Sequence, residues 1–95
     1  MAKGYVIITE QITDPEGFKE YGKLAAATMG DAKILSFGPP AEVIEGQWHG
    51  SQTVVLEFES VEAAKEWYYS DAYQAAAKVR QAAAECHGVI VAGLG

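Results

Sequence analysis

Cysteine is all but missing from this chain. Cys86 stands alone, so no intrachain disulfide can form and no thiolate cluster is available to hold zinc. Histidine is nearly as scarce: His49 and His87 lie far apart in the sequence, a poor start for a metal site. Basic side chains are outnumbered, with 7 Lys and Arg against 13 Asp and Glu for a net charge of −6. No Lys/Arg cluster offsets that acidity, so neither nucleic acid nor an anionic membrane is an expected partner. Glycine-rich phosphate loops and Ser-His-Asp nucleophile motifs are absent, and no cofactor or metal is expected. No apolar run approaches the roughly 18 residues of a membrane span, and no charged-then-apolar leader precedes Tyr5. The expectation is a soluble, cytoplasmic protein.

What is present is a chain of 95 residues, 49% hydrophobic. That composition excludes disorder and suits one packed domain over residues 1–95. A chain this short buries only about 60–65% of the surface it exposes when unfolded, so oligomerisation would help it.

Tyr5 to Ile12 reads as a strand from its β-branched content. Val6, Ile8, Glu10 and Ile12 share one of its faces, while Tyr5, Ile7, Thr9 and Gln11 share the other. Asp14-Pro15-Glu16 is a helix start: an N-cap, a residue whose missing N–H costs nothing there, and an acid at the positive end. The spacing of Phe18, Tyr21, Ala25 and Thr28 predicts a helix over 15–29, with Gly30 as its stop. Residues 32–46 are expected to form one long strand broken at Pro39-Pro40, or a short hairpin, followed by a turn at 46–51.

Thr53 to Phe58 is a further strand, and Ser60 offers an N-cap to a helix from Val61 punctuated at Ser70-Asp71. Beyond that break, Ala72, Ala76, Val79, Ala83 and Cys86 predict a stripe of small residues, with Gly88 as cap and His87 near the negative helix end. Val89 to Ala92 is the last strand.

This order predicts an α+β, ferredoxin-like βαββαβ sandwich: an antiparallel sheet with both helical segments on one face. The first and third strands are central, and Val54, Leu56 and Phe58 face the helices. Thr53, Val55 and Glu57 then point the other way, beside Ile7 and two residues of the last strand. So apolar a face is expected to be covered by a second copy, with the two sheets packed face to face in a homodimer.

The segments GYVIITEQITDPEGFKEY, EVIEGQW, VVLEFESVEAAKEWYYSDAYQAA and VIVAG resemble the domain-of-unknown-function 1330 family over essentially the whole chain. That resemblance implies the dimeric α/β-barrel superfamily, whose members include antibiotic-biosynthesis monooxygenases and muconolactone isomerase-like and EthD-like proteins. It assigns no activity. Family members often carry arginine after the EG-x-W turn and in the strand before it. Here His49, Gln52 and Phe37 stand at those places, which implies a lost anion grip or a less charged ligand.

Two functions stay open. One is a cofactor-independent enzyme acting on a small organic metabolite by proton transfer or oxygenation; the other is a non-catalytic small-molecule binder or structural homodimer. For the enzyme, Glu57 is the first catalytic candidate, because a carboxyl in an apolar cavity can exchange a proton near neutral pH. The plainer role is a buried carboxylate paired across the dimer or with Arg80. His49 is the second, either a proton carrier at a cavity mouth or an exposed turn residue. Trp48, Tyr21, Tyr68 and Arg80 are candidate ligand contacts, the aromatics as walls for a flat molecule. Their plainer roles are core, dimer interface and, for Arg80, ion pairing with Glu57, Glu59 or Glu62. Cys86 is expected to be a small buried hydrophobe.

Overall fold

The structure, a computed structural model, describes residues 2–95. Its elements run β1 (Gly4–Ile12), α1 (Pro15–Ala26), β2 (Lys33–Gly38), β3 (Gln52–Phe58), α2 (Val61–Tyr69), α3 (Asp71–Ala83) and β4 (Ala84–Ala92). The four strands form one antiparallel sheet in the order β2-β3-β1-β4, so β1 and β3 are central. The helices cover one face.

Local chemistry sets most of the boundaries. Asp14 accepts the Gly17 N–H at 3.2 Å ahead of Pro15, and Ser60 accepts the Ala63 N–H at 3.0 Å. Ser70 serves two helices at once. Its hydroxyl donates to the Trp67 carbonyl at 2.7 Å, closing α2, and accepts the Tyr73 N–H at 3.2 Å, opening α3. An extended ψ of 149° at Ser70 turns the chain between them.

Strand parity builds the core. Val6 and Ile8 of β1 and Val54, Leu56 and Phe58 of β3 are buried under Ala64, Trp67, Tyr73, Ala76 and Ala77 of the helices. The Trp67 and Tyr73 rings lie 3.9 Å apart. Placing this much aromatic and aliphatic area out of water is the principal stabilising term, at about 25 cal/mol per Å².

Three expectations about the chain path need correction. The α1 helix ends at Ala26 rather than 29, where the Thr28 hydroxyl bonds the Ala25 carbonyl at 2.8 Å. After β2 the residues 39–51 form no strand: Pro39 and Pro40 carry no N–H, and β2 is already the sheet edge. Gly50 ties that segment back, at φ +89° and so close to β1 that a Cβ would lie 2.6 Å from the Glu10 carbonyl.

The third correction concerns α3, which stops at Ala83 and passes straight into β4 with no residue between. Its last carbonyl, on Ala83, is taken by the Thr13 and Asp14 N–H groups and the Thr13 hydroxyl, all from the turn that follows the neighbouring strand β1. β4 can then pair with β1 along its full length, from Ala84 opposite Ile12 to Ala92 opposite Gly4. Cys86, His87 and Gly88 are therefore strand residues. The buried stripe of α3 is Tyr73, Ala76, Ala77, Arg80 and Ala83, not the one through Ala72 and Val79.

Candidate functional site

Between helices and sheet lies a group of polar side chains that a hydrophobic core does not require. Glu10 continues the parity of Val6 and Ile8, so β1 drives it under the helices, where it is 1% exposed. Its carboxylate accepts a hydrogen bond from the Gln52 amide at 2.8 Å. Tyr21 of α1 and Tyr73 of α3 join hydroxyl to hydroxyl at 2.7 Å. One turn on from Ala76, Arg80 is 4% exposed with its guanidinium 5.7 Å from the centre of the Tyr21 ring.

Burial governs how these groups hold protons. It pushes the Glu10 carboxyl above its ordinary 4.5, against the opposing pull of the Gln52 hydrogen bond and the Arg80 charge. It likewise pushes the Tyr21 and Tyr73 hydroxyls up, so both are neutral donors and acceptors. At Arg80 burial works against the charge, but Tyr73, Cys86 and Tyr21 hold the guanidinium protonated. The Arg80 Nε–H has no hydrogen-bond partner among the described residues.

Two cavities flank this group. The larger, about 550 Å³, opens between α2, α3 and β4 and is lined by Val6, Ile8, Tyr68, Arg80, Cys86 and Ile90 among others. The smaller, about 120 Å³, lies under α1 and is lined by Glu10, Tyr21, Met29, Ile34, Phe37 and Trp67 among others. Arg80 thus faces one space, Glu10 and Tyr21 face the other, and the paired tyrosine hydroxyls stand in the wall between helices.

The candidates from the sequence fall into two places. Tyr21, Tyr68 and Arg80 are brought together around the cavities. Glu57, Trp48 and His49 lie against the opposite face of the sheet. The Glu57 carboxylate accepts the Tyr5 hydroxyl at 3.0 Å, and it lines neither cavity. The Trp48 indole N–H donates to Thr53 at 2.7 Å, and the His49 ring sits 4.8 Å from that of His87. Thr53 and His87 both lie opposite Thr9 on that face.

Arg80 forms no ion pair with Glu57, Glu59 or Glu62; Glu59 takes Lys3 instead, at 3.4 Å. The Tyr21 hydroxyl is paired with that of Tyr73. Cys86 is only partly buried and belongs to the larger cavity's wall. Sequence reading missed Glu10 as a site residue. The signal was available: a carboxylate at the core parity of an otherwise apolar strand.

A four-stranded antiparallel sheet in this order, with its helices on one face, is the ferredoxin-like fold. Solved structures share it at identities that show the fold alone. A protein of unknown function from Rhodopseudomonas palustris superposes with a TM-score of 0.79 at 18% identity, over 99% of this chain and 84% of that one. SnoaB, a cofactor-independent oxygenase from Streptomyces nogalater, gives 0.70 at 9% identity over 100% and 96%. A dimeric ferredoxin-like protein of unknown function from Thermobifida fusca gives 0.64 at 12% over 96% and 91%. No curated protein matches the chain. The model of a domain of unknown function, DUF1330, matches residues 3–94, and the chain belongs to that family.

Proposed function

We propose that this protein is a homodimeric, cofactor-independent enzyme that acts on a small organic metabolite by proton transfer or oxygenation. The observation that carries this reading is Glu10, a carboxyl 1% exposed whose proton affinity is raised by burial. Both kinds of reaction begin by moving a proton, and a carboxyl poised in this way is suited to that. The Tyr21–Tyr73 pair supplies neutral hydroxyls for relaying it or for bonding a developing oxyanion. SnoaB supports the oxygenation branch only through its shared fold.

The dimer rests on the far face of the sheet, where Ile7 and Val55 are half-buried while Val89 and Val91 are exposed. A second copy packed there would cover them, as the dimeric relative makes reasonable. Glu57 and His49 would then sit between subunits, apart from Glu10.

A second reading is a non-catalytic binder, and one observation favours it: no carboxylate lines the larger cavity. A thermal-shift screen of aromatic and carboxylic metabolites, followed by solvent-deuterium exchange and oxygen uptake on each binder, separates the two. Loss of turnover by a factor of about 10²–10⁴ in Glu10→Gln is expected for a proton-transfer role. Unchanged turnover removes Glu10 from the reaction, and binding without turnover of any ligand leaves the binder.

A further inference from the structure

We infer that the larger cavity takes an organic anion: an apolar or aromatic body whose carboxylate, or similarly acidic oxygen, docks on Arg80. This rests on the proposed action on a small organic molecule, and adds the cavity that molecule enters and its charge and polarity. The first support is the sign of the walls. In a chain of net charge −6, the cavity is lined by two cations, Lys65 and Arg80, and by no aspartate or glutamate. Wall charge opposed to the whole molecule's charge is a local feature, and it selects the ligand by complementarity.

The second support is the state of Arg80. It is 4% exposed, its Nε–H is unpartnered among the described residues, and no carboxylate there lies within 4 Å of it. A buried guanidinium without a counterion is costly and has bonding capacity to spare. The carboxyl that feels its charge, on Glu10, is committed to Gln52 and is pushed by burial toward its neutral form. An arriving oxyanion would supply what the chain does not, with the charge-assisted bonds that arginine forms best.

The remaining walls describe the rest of the ligand. Val6, Ile8 and Ile90 form an apolar floor from the sheet, and Tyr68 stands beside them from α2. Lys65, exposed at the mouth, would attract the anion without burying its own charge. About 550 Å³ is within the roughly 300–1,000 Å³ typical of small-molecule sites. The arginine positions missing around His49 and Phe37 are thus no argument for a neutral ligand, because the cation is supplied from α3.

Cys86 lines the same cavity and is the chain's only cysteine, so it can report the local charge. The experiment compares its rates with dianionic dithiobis(nitrobenzoate) and neutral dithiodipyridine, each divided by the rate for N-acetylcysteine amide. The anion-to-neutral ratio cancels any change in thiol reactivity that a substitution causes. Wild type should favour the anion by about tenfold over the free thiol, the scale of one charge-assisted contact, against the repulsion of an acidic protein.

Arg80→Met should return the ratio to that of the free thiol, and Lys65→Gln should lower it less. A wild-type ratio at or below that of the free thiol overturns the inference, as does a ratio unchanged in Arg80→Met. So does failure of Cys86 to react with the neutral reagent. If Arg80→Met does not fold, Lys65→Gln and the salt dependence of the wild-type ratio decide. A ratio indifferent to both overturns it. Absence of turnover would sink the enzyme and leave this ratio untouched.

Discussion

The two faces of the sheet are made from the same strands and from much the same residue types, but they have been put to different uses. Beneath the helices, Val6, Ile8, Val54 and Leu56 enclose aromatic rings and a small set of buried polar groups, with cavities on either side. On the reverse, Ile7, Val55, Val89 and Val91 share the face with the bonded pair Tyr5 and Glu57, and Trp48 from the loop donates to Thr53 there. Polarity is also distributed oppositely. The covered face hides Glu10 and Arg80, while the open face keeps its glutamate half-exposed beside a tyrosine. The lesson is that burial of charge, rather than abundance of charge or aromatics, marks the chemically unusual side.

The sharpest way to break this comparison is to unmake the covered face. Trp67→Ala should cost about 3–5 kcal/mol in denaturant unfolding, as large-to-small changes of buried aromatics do. Trp67 packs against both Phe58 and Tyr73 and donates to Thr28 at 3.0 Å. A loss under about 1 kcal/mol would mean the helices do not depend on this contact. On the reverse face the effect should be on assembly. Ile7→Asp should give monomers or aggregates in light scattering, and an intact dimer would show that this face is not the one shared between copies.

Smaller changes sharpen the contrast. Ser70→Ala removes an N-cap and a bond to the preceding helix end, and should cost about 0.5–2 kcal/mol by the same unfolding measurement. On stability, Glu10→Gln should act mainly through the pH dependence. Below the ordinary carboxyl value both folded and unfolded chains hold the proton. Above it the unfolded chain releases its proton first, so wild type loses stability as pH rises toward the raised folded value. The glutamine variant should lack that decline in thermal melts taken upward from the ordinary carboxyl value. A parallel pH profile for the two proteins would deny the raised proton affinity.

Much of this was written plainly in the chain. Asp14, Ser60 and Ser70 announce three helix starts because capping is a short-range effect of one oxygen. The parity of Val54, Leu56 and Phe58 fixes which side of β3 is covered. What was illegible depended on distant partners. The alanine run before Ala84 has no local mark for its end, since the Ala83 carbonyl is closed by Thr13 and Asp14. Val43 and Ile44 look like strand residues but have no neighbour to pair with beyond β2. The candidate site was half legible: Tyr21, Tyr68 and Arg80 stood out by type, whereas Glu10 became notable only once the helices closed over it.

The passage from Ala83 to Ala84 has a consequence for how this chain can change over evolutionary time. With no spare residue there, the rotation of α3 and the register of β4 behave as a single variable. One inserted residue would either turn the helix by about 100° or shift the strand by one place. The first would carry Arg80 out of the cavity wall, and the second would exchange the two faces of β4. Length variation should therefore be tolerated in the 39–51 loop and refused at this seam.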